Sequence, residues 1–530
     1  MEKPSSSNTK GKASNDGNMS ISVLNEDLLQ KILAKLPALS FASAACVNKS
    51  WNSLCNRILS RPKLSSALSL NPSLPDAVNE VLHKVLSEPI RPCFAIVNVG
   101  DGFGSSKTML LIRQKLGFNI PVIVAVANGI MGRDALTDEF KEVKWGALFG
   151  GFDDEEYARN INEGIVLTIG YLPGLKVEAI PLLRPQKTPQ APCIDNFVMD
   201  IKGYSASVSG RPFPVGIILF GEANSDMKLV LEKLDYAMPM DTVVVGDERG
   251  SFVYTSGNDS TNICGRKRST EAVALVFAQD RNRSSGNIQF HVALSNGVSA
   301  VGVRYKTASV ISKNTDSSTW LTARREGQHE VLDGQSILLD INDLLENHIE
   351  SPDLYIGVIK HRKYSIGAEK PMPRTCIAYH GVVGGDEEYL YVDGIGIKTA
   401  DIFQFYHSDP NTALASITEV NDALKNIKLG RNSKSFKGDG DKDINVFGGL
   451  IFACYGRGES FFGRHNVDSS PFLENFPGVP LAGIFCGGEM VRPCTTLIGQ
   501  CHEASPVSCC LHVYSSVYLV MSYIPPSLEY

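Results

Sequence analysis

Apolar positions recur at helical spacing in residues 22–64 and predict a cluster of three short helices. In the first helix, Leu28, Ile32 and Leu36 form one stripe on the helix surface. Asn25 is a good N-cap for this helix, because an asparagine side chain accepts a hydrogen bond from a backbone N–H group of the first turn. The pattern therefore predicts an amphipathic helix that starts directly after the cap.

Two further helices follow the first. Pro37 ends the first helix, because proline has no backbone N–H to donate and clashes with the preceding turn. Ser40 is the predicted cap of a second helix that extends to Val47. The apolar residues at helical spacing in the third helix are Val47, Trp51, Leu54 and Ile58. Three such helices in about forty residues expose more apolar surface than so small a bundle can bury, so we expect the bundle to bind a partner.

Downstream, short apolar runs alternate with helical patterns and glycine-rich turns. Amphipathic helices are predicted at 78–85, 227–234 and 413–424, and alternation over 290–294 predicts a half-buried strand. Runs rich in Val, Ile and Phe predict buried strands. These are Phe94–Val99, Val122–Ala127, Ile165–Ile169, Val215–Phe220, Thr242–Val245, Ala272–Phe277, Ser336–Ile341, Leu354–Ile359, Thr375–Tyr379, Tyr389–Val392, Leu450–Cys454 and Leu511–Met521. Loops rich in Pro, Ser, Asn or charge are predicted at 184–193, 255–270, 311–319 and 430–442.

This sequence of elements predicts a multidomain protein in which a small all-α module precedes a large α/β or α+β body with mixed sheets. No fixed period of 20 to 50 residues recurs, which argues against a leucine-rich or other solenoid. At 530 residues the chain is too long for one core, so we expect two or three domains.

Composition narrows the class of protein. The chain is 43% hydrophobic and 20% charged, as in ordinary globular proteins, and its net charge of −6 gives no electrostatic reason to expect a nucleic-acid partner. Residues 1–19 are polar and are expected to be a disordered tail without a signal peptide, and residues 509–524 are too short and interrupted to span a bilayer. The twelve cysteines are scattered, several in apolar runs, which favours a reducing cytoplasmic or nuclear compartment.

Two further patterns are weak candidates for ligand binding. The glycine-rich turn from Gly100 to Lys107 follows a strand and opens a helix, but a phosphate-binding P-loop has glycine directly before its lysine, and here two serines intervene. Cysteines near the C-terminus lack the close Cys-x-x-Cys pairs of zinc sites. These are Cys486, Cys494, Cys501, Cys509 and Cys510, with His502 nearby. We therefore expect no metal and no cofactor.

Two charged residues follow apolar strands near the C-terminus. Arg457 and Glu489 each lie after a buried-looking run and a short glycine turn, where an unpaired charge is costly. Adjacent strands would bring them to one sheet edge, where they either pair with each other or line a ligand or substrate cleft. The residues assigned to that cleft are Cys454, Arg457, Gly458, Gly488 and Glu489. No catalytic triad or paired-carboxylate arrangement stands out.

The N-terminal motif resembles an F-box, the module that docks substrate receptors onto the Skp-type adaptor of cullin ubiquitin ligases. Asn25 stands where the family usually has proline, and Asn48 where cysteine is common; neither departure alters the apolar pattern. The resemblance implies that the adaptor-binding residues are Leu24, Leu28, Leu29, Ile32, Leu36, Pro37, Val47, Trp51 and Leu54.

The remainder of the chain resembles a FIST (F-box and intracellular signal transduction) domain. The resemblance is strongest over 447–490, with Phe447-Gly-Gly-Leu-Ile-Phe-Ala-Cys454-Tyr-Gly-Arg457-Gly458 and then Pro477 to Glu489, and weaker over the rest of about 90–525. An F-box joined to FIST is characteristic of ubiquitin-ligase receptors found in animals and plants. The implied division is a tail over 1–19, an F-box over 20–64, a linker and helix over 65–89, and FIST N- and C-terminal domains over 90–318 and 319–530.

The two resemblances imply a non-catalytic substrate-recognition subunit of an SCF-type (Skp-cullin-F-box) ubiquitin ligase, located in the cytoplasm or nucleus. Its implied partners are a Skp-type adaptor, a cullin scaffold and an unidentified protein substrate, with no nucleic acid and no membrane. Two alternatives stay open. One is an intracellular sensor whose FIST domain binds a small molecule and gates partner binding, and the other is an F-box scaffold that acts outside the ligase.

Overall fold

The computed structural model describes most of the chain, in segments separated by short gaps. The described residues are 25–145, 162–184, 190–223, 225, 227–257, 270–282, 287–313, 318–345, 353–367, 370–429, 444–492, 497–498, 507–508, 510–525. In these ranges the helices are α1 (Glu26–Leu33), α2 (Ala38–Ala45), α3 (Lys49–Ile58), α4 (Leu74–Val85), α5 (Ser105–Leu116), α6 (Gln190–Ser209), α7 (Met227–Ala237), α8 (Gly334–Leu345), α9 (Pro410–Lys428), α10 (Glu459–Phe462) and α11 (Ser470–Asn475).

The first strand in the described ranges begins at Lys63, at the end of the predicted F-box range, and extends into the region predicted to be a linker. They are β1 (Lys63–Ser69), β2 (Phe94–Val99), β3 (Val122–Val126), β4 (Gly129–Arg133), β5 (Phe140–Lys144), β6 (Ile165–Tyr171), β7 (Leu175–Leu183), β8 (Gly216–Glu222), β9 (Val243–Thr255), β10 (Thr270–Gln279), β11 (Asn287–Ser295), β12 (Val298–Lys313), β13 (Ser318–Arg325), β14 (Leu354–Tyr364), β15 (Met372–Gly385), β16 (Leu390–Asp393), β17 (Ile402–Ser408), β18 (Asn445–Cys454), β19 (Leu481–Cys486), β20 (Glu489–Val491), β21 (Leu497–Ile498), β22 (Val507–Ser508), β23 (Leu511–His512) and β24 (Ser516–Ile524).

The N-terminal bundle consists of α1, α2 and α3, as the apolar pattern predicts. The Asn25 side chain caps α1 by accepting a hydrogen bond from the Asp27 N–H at 3.1 Å, and Asn48 caps α3 in the same way for Trp51 at 2.9 Å. The second cap is different from the prediction, because α2 starts three residues before the expected position and Pro37, not Ser40, precedes its first residue. Proline fits there because its fixed φ suits the start of a helix and no N–H donor is lost.

Two large sheets stack face to face in the body. The first contains ten strands: eight follow the order β1-β6-β2-β3-β9-β8-β10-β7, β20 pairs with β9, and β23 pairs with β20. The second runs β21-β11-β24-β18-β19-β4-β5. An aromatic contact joins them: Phe277 of the first sheet packs edge-on against Phe290 of the second, with ring centroids 5.3 Å apart, and also against Phe94 of its own sheet at 5.4 Å. Helices α4 to α7 cover the outer face of the first sheet, and α9 and α11 cover that of the second. The body is therefore a four-layer αββα sandwich.

The third sheet is a small closed barrel. Six of its strands follow the order β14-β17-β12-β13-β16-β15 with antiparallel neighbours, and β15 pairs back onto β14. The seventh, the two-residue β22, pairs in parallel with β15. Helix α8 contributes Ile337, Ile341 and Leu345 to the barrel core. Closure removes the exposed sheet edges that would otherwise pair with other chains.

The structure corrects several boundaries. The predicted helix after the F-box is present as α4, but the segment before it is an edge strand rather than a linker, with β1 antiparallel to β6. The division at 318/319 falls within the β12–β13 hairpin of the barrel, and β4 and β5 lie in one sheet with C-terminal strands. The body is therefore not divided into two consecutive halves along the sequence.

Three smaller predictions are also wrong. Residues Ser336–Ile341 belong to helix α8 and not to a strand. Ile337, Ile341 and Leu345 recur every four residues, so one face of the helix packs against the barrel core. Strand β11 is buried on both faces, since it lies between two strands of a sheet that is itself covered on both sides. The run Leu511–Met521 is two strands, broken at Tyr514, which has a φ of 49°. The predicted loop over 430–442 lies outside the described residues.

Candidate functional site

The residues predicted to bind an adaptor divide into buried and exposed sets. Leu29 and Leu54 lie in the bundle core, and Leu36 and Trp51 pack against that core. The exposed set includes Leu28, Ile32 and Val47, whose side chains are 44–60% exposed. Leu39, a residue that the sequence pattern did not single out, is 79% exposed. Pro37 is exposed at the start of α2, and Leu24 lies outside the described residues. We call Leu28, Ile32, Leu39 and Val47 the exposed apolar set.

Helical geometry explains this division in α1. Leu29 and Leu33 are four residues apart and face inward, and Leu28 and Ile32 have the same spacing one position earlier, which turns them to the neighbouring stripe. A bundle of three short helices has room inside for only one of these stripes. The other therefore faces solvent, where it is available to a partner.

The bundle is attached to the body by few contacts. Its core is a separate cluster of six buried residues, distinct from the cores of the sandwich and barrel. The Ala38 N–H donates a hydrogen bond to the Leu86 carbonyl at 2.9 Å, which places the start of α2 beside the end of α4. The bundle can consequently bind a partner through its outer face without disturbing the sheets.

The second predicted site forms at the ends of two strands. β18 and β19 are parallel neighbours, with Cys454 paired to Cys486, so the residues that follow them meet at one edge. This confirms the prediction that Arg457 and Glu489 lie at the same end of adjacent strands. Both side chains are fully buried, so neither presents surface to solvent.

The carboxylate partner of Arg457 is Asp468, and the alternative that Arg457 pairs with Glu489 is wrong. The Arg457 Nη2 atom lies 2.7 Å from Asp468 Oδ1, and Nε donates to Oδ2 at 3.2 Å. The remaining guanidinium donors bond to the carbonyl oxygens of Tyr514 at 3.0 Å and Ser295 at 3.3 Å and to the Ser295 hydroxyl at 3.0 Å. This network ties together the loop after β18, the end of β11 and the start of β24.

Glu489 lies in a different local environment. Its Oε2 atom accepts hydrogen bonds from the Ser515 hydroxyl at 2.9 Å and the Ser515 N–H at 3.2 Å. The Cys454 thiol is a neighbouring donor. Burial raises the pKa of Glu489 to about 8, and these hydrogen bonds and the distant Arg457 charge offset it only in part. The carboxyl is therefore largely protonated at neutral pH, which removes the cost of a second buried charge.

A buried carboxyl adjacent to Glu489 behaves in the same way. Asp247 faces Glu489 across the antiparallel β9–β20 pair, and burial raises its pKa to about 7. Burial also raises the pKa of the Cys454 and Cys486 thiols well above the usual value. Burial therefore favours the neutral forms of Glu489, Asp247, Cys454 and Cys486, whereas Arg457 and Asp468 form an ion pair.

The two glycines assigned to the cleft are required by packing. A Cβ atom at Gly488 would come within 2.5 Å of a carboxylate oxygen of Glu248, and Gly458 has a φ of 92°, which favours glycine. At Gly458 a Cβ would also lie 3.2 Å from the Phe485 ring. Both positions thus allow close approach of protein to protein, which explains them without a ligand.

Sequence reasoning missed the residues that complete this edge. Lys144 donates to the Arg457 carbonyl at 2.7 Å, and Glu142 accepts from the Asn466 N–H and the Ser469 hydroxyl, each at 2.8 Å. Glu142 and Lys144 come from β5, more than 300 residues earlier in the chain. No local signal connects them to Arg457, because the contact depends on β4 and β5 joining the second sheet.

Two other sequence patterns were candidates for ligand binding, the glycine-rich turn after β2 and the cysteines near the C-terminus. Gly100 and Gly102 approach the Asn162 backbone so closely that a Cβ at either would contact its carbonyl, which accounts for the glycine-rich turn. The described residues contain no cluster of three or more metal-ligating side chains. Cys494, Cys501, His502 and Cys509 lie outside those residues, so the expected absence of zinc stays a prediction. Among the helices that the structure describes, each is too short or too polar to cross a membrane.

Comparison with known proteins agrees with the architecture of the N-terminus. Residues 21–62 match the model of the F-box domain family. The chain is 47% identical over 530 residues to the F-box/LRR-repeat protein At5g63520 of Arabidopsis thaliana, and the alignment covers 97% of each protein. A 117-residue segment, 20% of the chain, is 30% identical to the uncharacterized protein Rv0628c of Mycobacterium tuberculosis, of which it covers 29%.

The name of the Arabidopsis relative includes leucine-rich repeats, and the fold of this chain differs from that architecture. Leucine-rich repeats stack short parallel strands along a horseshoe, each repeat contacting the next. In the described part of this chain, the sheets are mixed, one sheet closes into an antiparallel barrel, and strands distant in sequence are neighbours. That arrangement is a layered α/β body and differs from a leucine-rich solenoid.

Proposed function

We propose, from the premise that this chain belongs to the family of F-box proteins that includes its Arabidopsis relative, that it is the substrate-recognition subunit of an SCF-type ubiquitin ligase. The F-box binds a Skp-type adaptor, which links it to the cullin scaffold, and the body recruits a protein target for ubiquitination and proteasomal degradation. The chain is non-catalytic in this proposal, since the partner enzyme transfers ubiquitin, and it acts in the cytoplasm or nucleus.

The observation that carries this proposal is the exposed apolar set of the bundle. Leu28, Ile32, Leu39 and Val47 remain open to solvent although the bundle has its own closed core. Exposing them costs free energy in isolation, and burial in a partner recovers part of the about 1.5–3 kcal/mol that complete burial of such a side chain contributes. An obligate partner accounts for four such residues on so small a module.

We assign the body to the FIST type. The support is the glycine-rich sequence over 447–490, whose glycines serve the parallel β18–β19 pair and the tight turns after it. In this assignment the FIST body is one αββα sandwich with an attached barrel, built from strands of both sequence halves. A FIST body predicts target recruitment through its surface, whereas a leucine-rich body would use a concave solenoid face.

The test is co-purification of the adaptor and cullin with the full chain and with a double variant, Ile32→Glu with Val47→Glu. Both positions are exposed, so the variant keeps the bundle core while placing charges in the interface. We expect loss of adaptor binding, because apolar anchors of such interfaces contribute about 2 kcal/mol or more each. The melting temperature should be unchanged.

The matched control is Leu110→Glu, which alters an equally exposed leucine on α5, outside the bundle. This variant should keep full adaptor binding. Equal adaptor recovery by the double variant and the wild type, with both folded, would contradict the F-box assignment. Adaptor binding without cullin would instead favour the scaffold role outside the ligase.

A second candidate function, a sensor in which the body binds a small molecule that gates partner binding, is favoured by one observation. The body contains a cavity of suitable volume at the junction of the sandwich and the barrel. Ligand-dependent recruitment of the adaptor or target would support the sensor, and recruitment that is the same with and without ligand would support the constitutive receptor.

A further inference from the structure

A cavity of about 450 Å3 lies between α7 of the sandwich and the end of β14 of the barrel. Four of the residues that line it are cations: Lys233, Arg362, Lys363 and Lys398. Among the described residues that line it, none carries a carboxylate. The cavity is therefore strongly positive in a protein whose net charge is −6.

Only some of this positive charge is neutralised within the protein. Lys233 forms an ion pair with Asp195, and the Arg362 Nη1 atom donates to Glu232 Oε2 at 3.0 Å. In the part of the chain that the structure describes, the ammonium groups of Lys363 and Lys398 have no carboxylate at ion-pair distance. Both side chains are exposed, so they can move toward a ligand in the cavity.

Lys360, on the same strand, is an additional buried cation. It is only 4% exposed, and the hydrogen bond of its Nζ atom is to His380 Nε2 at 3.4 Å. His380 Nδ1 in turn donates to the Asp393 carbonyl at 2.8 Å, which leaves Nε2 as an acceptor. Burial, and then repulsion by Lys228 and Arg362, lowers the pKa of Lys360 to about 8. Its charge at neutral pH is thus retained without a carboxylate in direct contact.

Two of these cations converge on one glycine of the cavity wall. Gly396 has a φ of 94°, and a Cβ atom there would lie 3.5 Å from Arg362 Nη2 and 3.6 Å from Lys360 Nζ. The absence of a side chain at Gly396 thus leaves space in the cavity wall next to both positive groups, of which Arg362 is a lining residue and Lys360 is not. A buried uncompensated charge is costly, and an anion bound at this position would offset that cost.

We propose that this cavity is a binding site for a small phosphorylated molecule carrying at least two negative charges. Its volume lies within the range of small-molecule sites, which are also preferentially found where two structural units meet. Phosphate fits better than carboxylate, because most of the donors are lysines acting as point charges. Arg362, the one arginine among the described lining residues, already donates a hydrogen bond from Nη1 to Glu232, so only part of its guanidinium group is available to a ligand.

The site is independent of adaptor binding, because its residues lie in α7, β14 and the loop before β17, far along the chain from the F-box. It goes beyond the receptor function proposed above, and it names a ligand class for the sensor candidate, which rests on the same cavity. A ligand there would contact both the sandwich and the barrel and would stabilise their junction, where Arg362 and Tyr364 of β14 already bond to Glu232 of α7.

The test is calorimetric titration of the full chain with pyrophosphate and with inorganic phosphate at constant ionic strength. We expect one saturable site per chain, with pyrophosphate binding more tightly than phosphate because it carries more charge. The double variant Lys363→Gln with Lys398→Gln should weaken pyrophosphate binding at least tenfold. Lys115→Gln, an exposed lysine on α5, is the control and should bind as the wild type does.

Lys360→Met gives a second, independent readout. Because it removes a buried cation, it should raise the melting temperature of the free protein and abolish the further increase that pyrophosphate causes in the wild type. Absence of saturable binding, or equal weakening by Lys115→Gln, would overturn the proposal. Binding of a phosphoserine peptide without binding of either small phosphate would also overturn it in favour of a peptide site. Adaptor co-purification tests the receptor function and does not depend on pyrophosphate binding. Failure of the receptor proposal can therefore be distinguished from failure of the phosphate-site proposal.

Discussion

The N-terminal bundle and the end of the β18–β19 pair differ in which kinds of side chain they expose and bury. The bundle leaves apolar side chains such as Ile32 and Leu39 in solvent, whereas the strand end buries the charged side chains of Arg457 and Asp468 completely. Exposed apolar groups are stabilised when a partner covers them, while buried charges are stabilised only by the protein's own partners. The comparison indicates that the bundle is built for binding and the strand end for internal cohesion.

The largest effect that separates the two regions is expected from Arg457→Met. It leaves the Asp468 carboxylate buried without its partner, which costs about 3–5 kcal/mol of unfolding free energy. Adding Asp468→Leu should recover much of that loss. Urea denaturation measures both, with Arg464→Met, an exposed arginine of the same loop, as the control. A folded, stable Arg457→Met protein that fails only in target recruitment would show that this edge is a recognition cleft after all.

A somewhat smaller effect is expected from Leu33→Ala in the bundle core. Truncating a buried leucine typically costs about 2–5 kcal/mol, and Leu33 is fully buried. Its neighbour Ile32 is exposed, so Ile32→Ala should change the stability by less than about 0.5 kcal/mol while weakening adaptor binding. Amide hydrogen exchange of α1 and α3 reports the first change and adaptor titration the second. The same effect of both variants on exchange would remove the distinction between the two stripes.

The third prediction concerns pH. The folded pKa of Glu489 is raised to about 8, so the folded state binds more protons than the unfolded state between the ordinary carboxyl range and pH 8. The stabilisation that Glu489 gives the folded state is complete below the pKa of this carboxyl in the unfolded chain. It is lost as the pH rises through the pKa of the carboxyl in the folded protein. Asp247, with a pKa raised to about 7, acts in the same direction.

Glu489→Gln should therefore flatten the decline of stability between pH 5 and pH 8, by on the order of 2 kcal/mol. Denaturation at several pH values tests this, and Glu474→Gln, at an exposed position, should reproduce the wild-type pH dependence. A decline that is just as steep in Glu489→Gln would show that this carboxyl is not the group responsible.

The smallest effect should come from the ion pair between Glu26 of α1 and Arg57 of α3, since both side chains are more than half exposed. Arg57→Gln should destabilise the bundle by at most about 1 kcal/mol, because solvent and salt screen such pairs. The effect should vanish in 1 M salt. A loss as large as that from Leu33→Ala would mean that the bundle depends on electrostatics, contrary to the comparison with the buried pair in the body.

Local patterns accounted for most of the individual elements. The helices of the bundle, the helix predicted at 413–424 and most apolar strands follow from side-chain periodicity, because period 3.6 and period 2 are properties of neighbouring residues. The parallel arrangement of β18 and β19 also agreed with the expectation from two similar apolar runs. The error at 336–341 arose where a short apolar run fits either a strand or a helix.

By itself, the sequence determined that the chain starts with an apolar three-helix module and continues as a mixed α/β body. Tertiary structure alone decided which stripe of α1 faces solvent, that Arg457 pairs with Asp468 instead of Glu489, and that β4 and β5 complete a C-terminal sheet. It also decided that Lys360 and Arg362 meet at Gly396. The physical reason is that periodicity depends on residues a few positions apart, whereas the surroundings of a buried charge depend on how loops and strands pack. The Arg457 guanidinium bonds to Asp468 of its own loop and also to Ser295, which lies 162 positions earlier in the chain.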